Sequence, residues 1–170
     1  MTCPDVFKAL SSPLPRDAVR RLPSGQDYVS SHWVISRLNE VFGPMGWSIT
    51  YGAPVVMAIP GARPVFHVPA TLVIQSGPVT GAGVTRADVG VGISATDKPE
   101  GVETAVKAAY TDALKRCART LGPSLGLALY EKERTTVGKR LPALVEEGIL
   151  EVDEVQIGRN YVKIFTVGTL

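Results

Sequence analysis

Cysteine and histidine, which build many nucleophilic and metal-binding sites, are scarce in this sequence, with two of each. Cys3 and Cys117 lie far apart, and His32 and His67 belong to different predicted elements. The pattern therefore gives no support to a cysteine–histidine nucleophile. CxxC and HExxH motifs and clustered carboxylates are also missing, so the sequence predicts a protein that is not an enzyme and holds neither a metal nor a cofactor.

Long apolar segments are missing as well. The sequence has no stretch of about 18 uninterrupted apolar residues, and its start, MTCPDVFKALSSPLP, lacks a charged region followed by a long apolar run. Two widely separated cysteines are typical of a chain in a reducing compartment. These patterns predict a cytoplasmic protein without a membrane partner.

The overall composition is that of an ordinary folded domain. Of the 170 residues, 45% are hydrophobic and 20% are charged, which is close to the average for globular proteins. A chain of this length buries about two-thirds of the surface that its unfolded form exposes, which is enough for one core.

Charge is distributed unevenly along the chain. Residues 1–140 hold 16 lysines and arginines against 11 acids, a net charge of +5, whereas residues 141–170 hold 2 against 5, a net charge of −3. Between residues 104 and 140, 8 basic residues face 3 acidic ones. A local excess of this kind favours a polyanionic partner.

Hydrophobic periodicity predicts an α+β fold in three parts. Residues 1–27, which contain several prolines and the pair Arg20–Arg21, are predicted to be an irregular arm. Residues 28–140 are predicted to form the core domain. Residues 141–170 are predicted to form an acidic helical turn, at residues 142–147, and a terminal β-hairpin packed on the core.

Within the core domain, the spacing of apolar residues changes from helical to alternating and back. A one-sided stripe predicts a first helix that stops at Gly43–Pro44: Val34, Ile35, Leu38, Val41 and Phe42. Alternation from Trp47 to Ser94 predicts a three-stranded antiparallel meander, in which Pro69 would forfeit a ladder hydrogen bond if its strand were central. A long helix is predicted from Pro99 to Gly122, followed by a short helical segment, SLGLALYEKE.

The predicted long helix has an apolar and a basic face. On a helical wheel, six residues form the core face: Val106, Tyr110, Ala113, Leu114, Cys117 and Leu121. Four cations occupy the opposite half, interrupted only by Asp112: Lys107, Lys115, Arg116 and Arg119. Three cations within five residues favour phosphate binding, because charge neutralisation and counterion release provide most of the sequence-independent affinity for nucleic acids.

Two other interpretations stay open at this point. The basic face is equally compatible with a solvated surface that carries the i,i+4 pairs Asp112–Arg116 and Glu103–Lys107. It is also compatible with a surface that binds an acidic protein segment, such as residues 146–154 of another protomer, which hold five acids and no base. Three aromatic residues are candidates for base stacking, although such residues more often belong to the core: Tyr28, Trp33 and Tyr110.

Three stretches of the chain are similar to successive signatures of one protein family: WVISRLNEVFGPMGWSITY, DVGVGIS and AVKAAYTDALKRCARTLGPSLGLALY. In this order they resemble the Rad52 single-strand annealing family, including its bacterial DdrA-like members, over residues 20–132. The resemblance implies a β-β-β-α unit whose sheet packs on the long helix. It also implies a homo-oligomeric ring whose basic groove binds single-stranded DNA with the bases outward, for annealing in DNA repair and recombination.

The resemblance further implies which residues contact DNA. The family's basic positions on and just before the long helix match five residues here: Lys98, Lys107, Lys115, Arg116 and Arg119. Its tyrosine before the first helix matches Tyr28, and an upstream arginine matches Arg20 or Arg21. The family's Gly-Tyr-Gly is Gly90-Val91-Gly92 in this chain, so the contacts of that tyrosine are absent. Eukaryotic members recruit a recombinase and a single-strand-binding protein through a long C-terminal region, so the resemblance leaves these two partners open here.

Overall fold

A four-stranded antiparallel sheet and a 21-residue helix packed against it form the centre of the molecule. The computed structural model describes residues 3–58, 60–77, 82–131, 137, 150–157 and 160–167. In chain order the elements are α1 (Cys3–Ser11), the 3-10 turn η1 (Arg16–Ala18), β1 (Val19–Arg21), β2 (Asp27–Val29), α2 (Ser31–Phe42), β3 (Trp47–Tyr51), β4 (Val55–Met57), β5 (Val65–Ile74), β6 (Val84–Ile93), α3 (Pro99–Arg119), the 3-10 turns η2 (Pro123–Leu125) and η3 (Leu127–Tyr130), β7 (Leu150–Ile157) and β8 (Asn160–Val167).

The described part of the N-terminal arm, residues 3–27, contains regular elements, contrary to the irregular segment predicted over residues 1–27. It contains α1 and a short antiparallel hairpin of β1 and β2, in which Val19 pairs with Val29. Pro4 lies in the first turn of α1, and the other three prolines of the arm lie between its elements. Gly25 makes the hairpin turn with a φ of 85°. The end of α1 is fixed to α2, because the Arg37 guanidinium donates to the carbonyl of Ala9.

The helix predicted from the stripe at 34–42 is confirmed as α2. Ser30 caps its N-terminus by accepting a hydrogen bond from the Trp33 N–H at 3.2 Å, and Gly43 ends it with a φ of 78°. Val34, Leu38 and Val41 are buried as the stripe predicts. Ile35 lies at the margin of the stripe and is exposed.

The first strand predicted for the sheet is interrupted and forms two short strands on the same side of β5. β3 pairs with the second half of β5, from Tyr51 opposite Ala70, and β4 pairs with the first half, from Val55 opposite His67. β6 pairs with β5 along its whole opposite side. The predicted antiparallel sheet therefore has four strands instead of three.

Pro69 lies in the central strand without interrupting it, because its missing N–H falls at the interruption between β3 and β4. The Gly52 N–H donates to the Pro69 carbonyl at 2.8 Å. Since the N–H and C=O of a strand residue point to the same side, the donor that proline lacks would have faced the Gly52 carbonyl. Gly52 is exposed, so solvent can satisfy that carbonyl.

The helix α3 packs on β5 and β6 through a face that matches the predicted one only in part, since Ala113, Leu114 and Cys117 are buried as predicted. Its buried residues are mostly small: Ala105, Ala109, Ala113, Leu114, Cys117 and Ala118. The predicted core residues Val106, Tyr110 and Leu121 are only half-buried. Gly90 and Gly92 explain the rotation, because a Cβ on either glycine would collide with the backbone of α3. Helix and strand therefore approach closely, and alanines, not the larger apolar side chains, occupy the contact.

The segment after α3 forms two 3-10 turns where one short helix was predicted. Gly126 separates η2 from η3 with a φ of 106° and lies against Val29 of β2. The predicted terminal hairpin is present as β7 and β8, with Ile157 opposite Asn160. The predicted helical turn at 142–147 lies outside the described residues. Within the described part of the chain, no helix combines the length and the apolar character needed to span a bilayer.

Candidate nucleic-acid interface

A cleft of about 350 Å³ lies where the second half of α3 meets the β1–β2 hairpin and the η2–η3 turns. It contains the three basic residues singled out on the long helix and two tyrosines, one from β2 and one from η3: Lys115, Arg116, Arg119, Tyr28 and Tyr130. Lys115, Arg116 and Arg119 thus line a concave site and do not form a fully solvated ridge.

The walls of the cleft are held together by contacts from three directions. The Trp33 indole N–H of α2 donates to the Ser124 carbonyl of η2 at 3.0 Å. Leu125 is almost fully buried in the main core, and Val29 packs in a smaller cluster with Ala128. The backbone on both sides of α3 is therefore anchored before any ligand binds.

Two of the cations lie over tyrosine rings. The Lys115 Nζ is 5.7 Å from the centre of the Tyr28 ring, and the Arg119 guanidinium carbon is 4.5 Å from the centre of the Tyr130 ring. Contacts of this kind contribute about 0.5–1 kcal/mol each where they are exposed. They also place a positive charge and an aromatic surface side by side, which suits a ligand with phosphates and bases.

Asp88 of β6 holds the guanidinium groups of α3. Its carboxylate accepts a hydrogen bond from the Arg116 Nε at 3.0 Å and lies 3.9 Å from the Arg119 Nη2. It also accepts the Val89 N–H at 2.7 Å. Partial burial alone would raise the pKa of Asp88, but the Val89 N–H and the two guanidinium groups together lower it. The hydrogen bond with Asp88 raises the pKa of Arg116, so both groups are charged at neutral pH.

Asp112 does not make the i,i+4 pair with Arg116 that its spacing suggests. Its Oδ2 accepts the backbone N–H of Val91 on β6 at 3.0 Å, and Arg116 turns towards Asp88 instead. Asp27 is a second acid on the cleft wall, and it lies 3.9 Å from the Arg21 Nε. Both carboxylates near the cations therefore already have polar partners.

The arginines of β1 lie outside this cleft. Arg20 lines a separate cleft of about 340 Å³ together with Asp17 and His32. Arg21 is exposed, and its Nε donates to the Gly25 carbonyl at 3.1 Å. The Arg21 side chain is still close to the cleft, because its partner Asp27 lies on the cleft wall.

The two lysines predicted at and before the start of α3 lie farther away. Lys98 is the N-cap residue of α3 and is exposed. Lys107 is exposed and forms an ion pair with Glu103 one turn earlier. Lys107 lies about 12 Å along the helix axis from Lys115, at 1.5 Å per residue, so the structure does not bring these lysines to the cleft wall.

The other aromatic candidates for stacking have structural partners. Tyr110 makes an edge-to-face contact with Tyr51, with ring centres 5.0 Å apart, and Trp33 packs against the main core. Sequence reasoning missed Tyr130, whose one signal was an aromatic residue in the short segment after the basic helix. It also missed the role of Asp88, which becomes visible only when β6 is placed beside α3.

Cys117 is fully buried within the sheet–helix contact. Its thiol donates to the Ala70 carbonyl at 3.6 Å, and burial raises the pKa of the thiol. A thiol that is buried and protonated at neutral pH is a poor nucleophile.

Comparison with known proteins points to DNA repair. Residues 5–143 match the family described as Rad52/22 family double-strand break repair protein. The chain is 34% identical over 108 residues to the DNA repair and recombination protein RAD52 of Candida glabrata. These aligned residues make up 62% of this chain and 21% of that relative. It is 33% identical over 108 residues to the protein of the same name in Saccharomyces cerevisiae, with coverage of 62% and 22%. The chain therefore spans about a fifth of the length of these relatives.

Proposed function

Because this chain belongs to the Rad52/22 family of double-strand break repair proteins, we propose that it binds single-stranded DNA and anneals complementary strands in DNA repair and recombination. The observation that carries the proposal is the cleft that holds Lys115, Arg116 and Arg119 together with two tyrosines. The family match extends over α1 and the β1–β2 hairpin, so we include both in the annealing unit with the core at 28–140.

The chemistry of the cleft suits the backbone of a single strand. Phosphates bind the guanidinium and ammonium groups, which reduces the repulsion between two DNA strands without reading their sequence. The base edges stay free, and pairing between the strands provides the specificity. Each step is non-covalent, so the function requires no nucleophile.

Contacts to a longer strand would extend beyond the cleft. Four of the predicted DNA-contacting residues lie at its margins or outside it: Arg20, Arg21, Lys98 and Lys107. We propose that they contact phosphates on either side of the segment that the cleft holds.

We further propose that copies of the chain associate side by side into a ring, as in DdrA-like members of the family. Two features support self-association. β4 exposes Val55, Val56 and Met57, and β6 on the opposite edge of the sheet exposes Val91 and Ile93. Exposed apolar residues on unpaired edge strands are typical of surfaces that join another chain, and contact between two different surfaces of a protomer can close a ring.

The decisive experiment measures binding of fluorescent single-stranded oligonucleotides of several sequences over a range of salt concentrations. Lys115→Ala and Arg119→Ala should each weaken binding for every sequence. The slope of log K against log salt should fall by about 0.7 for each phosphate that the variant no longer neutralises. Lys8→Ala, which removes an exposed lysine on α1, is the matched control and should bind as the wild type does.

The same assay separates DNA binding from docking of an acidic protein segment. If the cleft were built for such a segment, a peptide of residues 146–154 would displace DNA at micromolar concentration, and the wild type would not accelerate annealing of complementary strands. Unchanged DNA binding by Lys115→Ala and Arg119→Ala would contradict the assignment of the cleft.

A further inference from the structure

Tyr130 is an exposed aromatic residue at the rim of the DNA cleft. It is 66% exposed, whereas Tyr28 on the opposite wall is half-buried. Among the described residues, the other strongly exposed aromatic side chain is Phe7, on α1 and not part of the cleft. An aromatic ring exposed to this degree lacks the hydrophobic stabilisation that burial would give. The Tyr130 ring therefore contributes little to the core and is available to a ligand.

One face of the Tyr130 ring is already occupied. The Arg119 guanidinium lies 4.5 Å from the ring centre, and the Arg119 side chain itself is only 22% exposed. Since Tyr130 remains 66% exposed with one face covered, its accessible surface belongs to the opposite face and the ring edges. The free face is available to a second flat group.

The exposure of Tyr130 does not come from a loose backbone. Tyr130 closes η3, in which Ala128 is fully buried and Leu129 packs on the same cluster. Gly126 at the start of the turn fits against Val29, where a Cβ would lie 2.7 Å from the Val29 Cγ2. The buried neighbours hold the turn, and the Tyr130 ring projects from it at the cleft.

We propose that Tyr130 stacks against a nucleobase of the bound strand with its free face, while Arg119 on its other face binds an adjacent phosphate. The inference rests on the proposed binding of single-stranded DNA and names a base contact within the same site. Stacking on an aromatic ring tolerates every base because each has a flat π-face, so the contact adds affinity without sequence preference. The Arg119 charge over the ring keeps the phosphate and the base it belongs to close together.

The test compares two strands of equal length and charge, one of thymidines and one of abasic sites. Tyr130→Ala should weaken binding of the thymidine strand by roughly 5- to 100-fold, the range typical of removing one base–aromatic stack. It should leave binding of the abasic strand and the salt slope almost unchanged. Tyr130→Phe should bind as the wild type does, because the ring is retained.

Two controls make the outcome decisive. Phe7→Ala removes an equally exposed aromatic side chain outside the cleft and should leave both affinities unchanged, and thermal unfolding should show that Tyr130→Ala is folded. A halogenated uracil in the strand should cross-link to Tyr130 on irradiation.

Three results would overturn the inference. An equal drop in affinity for both strands would mean that Tyr130 acts only by orienting Arg119, and unchanged affinity for both would mean that no base stacks there. If the wild type binds neither strand at low salt, the proposed function fails and the stacking contact fails with it, whereas the first two results leave DNA binding intact.

Discussion

Asp88 lies where it would compete with the proposed DNA ligand for the cations of the cleft. Its carboxylate holds the Arg116 Nε at 3.0 Å and lies near Arg119, so a phosphate that binds these groups shares them with an anion already present. The Val89 N–H fixes the carboxylate from behind. The arrangement orients the guanidinium groups in advance and at the same time weakens their attraction for phosphate.

Asp88→Asn should tighten binding of single-stranded DNA at low salt by about fivefold. The substitution removes one negative charge beside two guanidinium groups, worth about 1 kcal/mol, and the asparagine oxygen can still accept the Val89 N–H. Titration of a labelled oligonucleotide checks this expectation. Asp97→Asn, at an exposed aspartate before α3, is the matched control. Weaker binding by Asp88→Asn would show that orientation of Arg116 outweighs the competition.

The same carboxylate links stability to pH. Because the pKa of Asp88 is lower in the folded chain than its usual value of about 4, ionised Asp88 stabilises the fold at pH values above that usual value. The contribution is lost as pH falls through the lowered pKa of the folded state. At pH 7 the free energy of unfolding of Asp88→Asn should be about 1 kcal/mol below that of the wild type.

Urea unfolding followed at pH 7 and at pH 3 or below tests this linkage. The difference in the free energy of unfolding between wild type and Asp88→Asn should become smaller on acidification, because protonation of Asp88 removes the ion pair from the wild type as well. A gap that stays constant with pH would show that the ion pair with Arg116 does not stabilise the fold.

The cleft shows which parts of a site a sequence can reveal. Lys115, Arg116 and Arg119 lie within five residues of one helix, so helical spacing alone places them on one side of it. Asp88 is 28 residues from Arg116 in sequence, and Tyr130 projects from a 3-10 turn beyond the helix. Their contacts depend on how strand and turn pack against α3, and no local period encodes that packing.

At the scale of elements, the contact between β6 and α3 determines where the basic residues point. Gly90 and Gly92 let the helix backbone approach the strand, and Ala105, Ala109 and Ala113 face them. This close contact fixes the rotation of α3 about its axis. The rotation in turn directs Lys115 and Arg119 to the cleft.

Gly90→Ala should lower the free energy of unfolding by about 2 kcal/mol and weaken DNA binding. A methyl group at this position collides with Ala109 O and Ala113 N, and because both are helix backbone, α3 has to move as a whole. Denaturant titration and oligonucleotide binding measure the two effects.

Gly52→Ala is the matched control in the same sheet. A Cβ there would lie 3.5 Å from Pro69, an ordinary contact, so the variant should be nearly as stable as the wild type. If Gly90→Ala is as stable as the wild type, β6 and α3 do not approach closely enough for the added methyl group to collide with the helix backbone.

The elements themselves differ in how far the sequence predicted them. α2 followed from a one-sided stripe that stops at Gly43–Pro44, because the stripe and its stop are both local signals. Ala113, Leu114 and Cys117 of α3 were predicted correctly as buried. The rest of the buried face was predicted wrongly, because large apolar residues dominate a helical wheel while the glycines of β6 select the alanines. The interruption after Tyr51 was missed, although Gly52 and Pro54 stand at it in the sequence.

On the scale of the whole molecule, the sheet leaves apolar residues exposed at both edges. β4 exposes Val56 at 54%, and β6 exposes Ile93 at 66%. If these edges join neighbouring copies, one long DNA strand can contact the clefts of several protomers. Binding at one cleft then raises the local concentration of DNA at the next.

Val56→Lys and Ile93→Lys should each reduce self-association, because burying a lysine at an edge strand is costly. Light scattering coupled to size exclusion should show smaller particles, and long oligonucleotides should lose more affinity than short ones. Met45→Lys is the control, since Met45 is 84% exposed in the turn after α2, outside both edges. Assemblies of unchanged size in both edge variants would exclude the sheet edges as the contact.

Pro69 disfavours one misalignment of the sheet. A slip of β3 by one residue against β5 would turn Tyr51 away from Tyr110, so burial excludes it. A slip by two residues keeps every side chain on its own face, and no hydrophobic pattern opposes it. If that slip brought Thr50 opposite Pro69, a carbonyl inside a strand would meet the one residue of β5 that has no N–H to offer. The missing N–H of Pro69 thus selects against this misaligned sheet, because the Thr50 carbonyl in it would lack a hydrogen-bond donor.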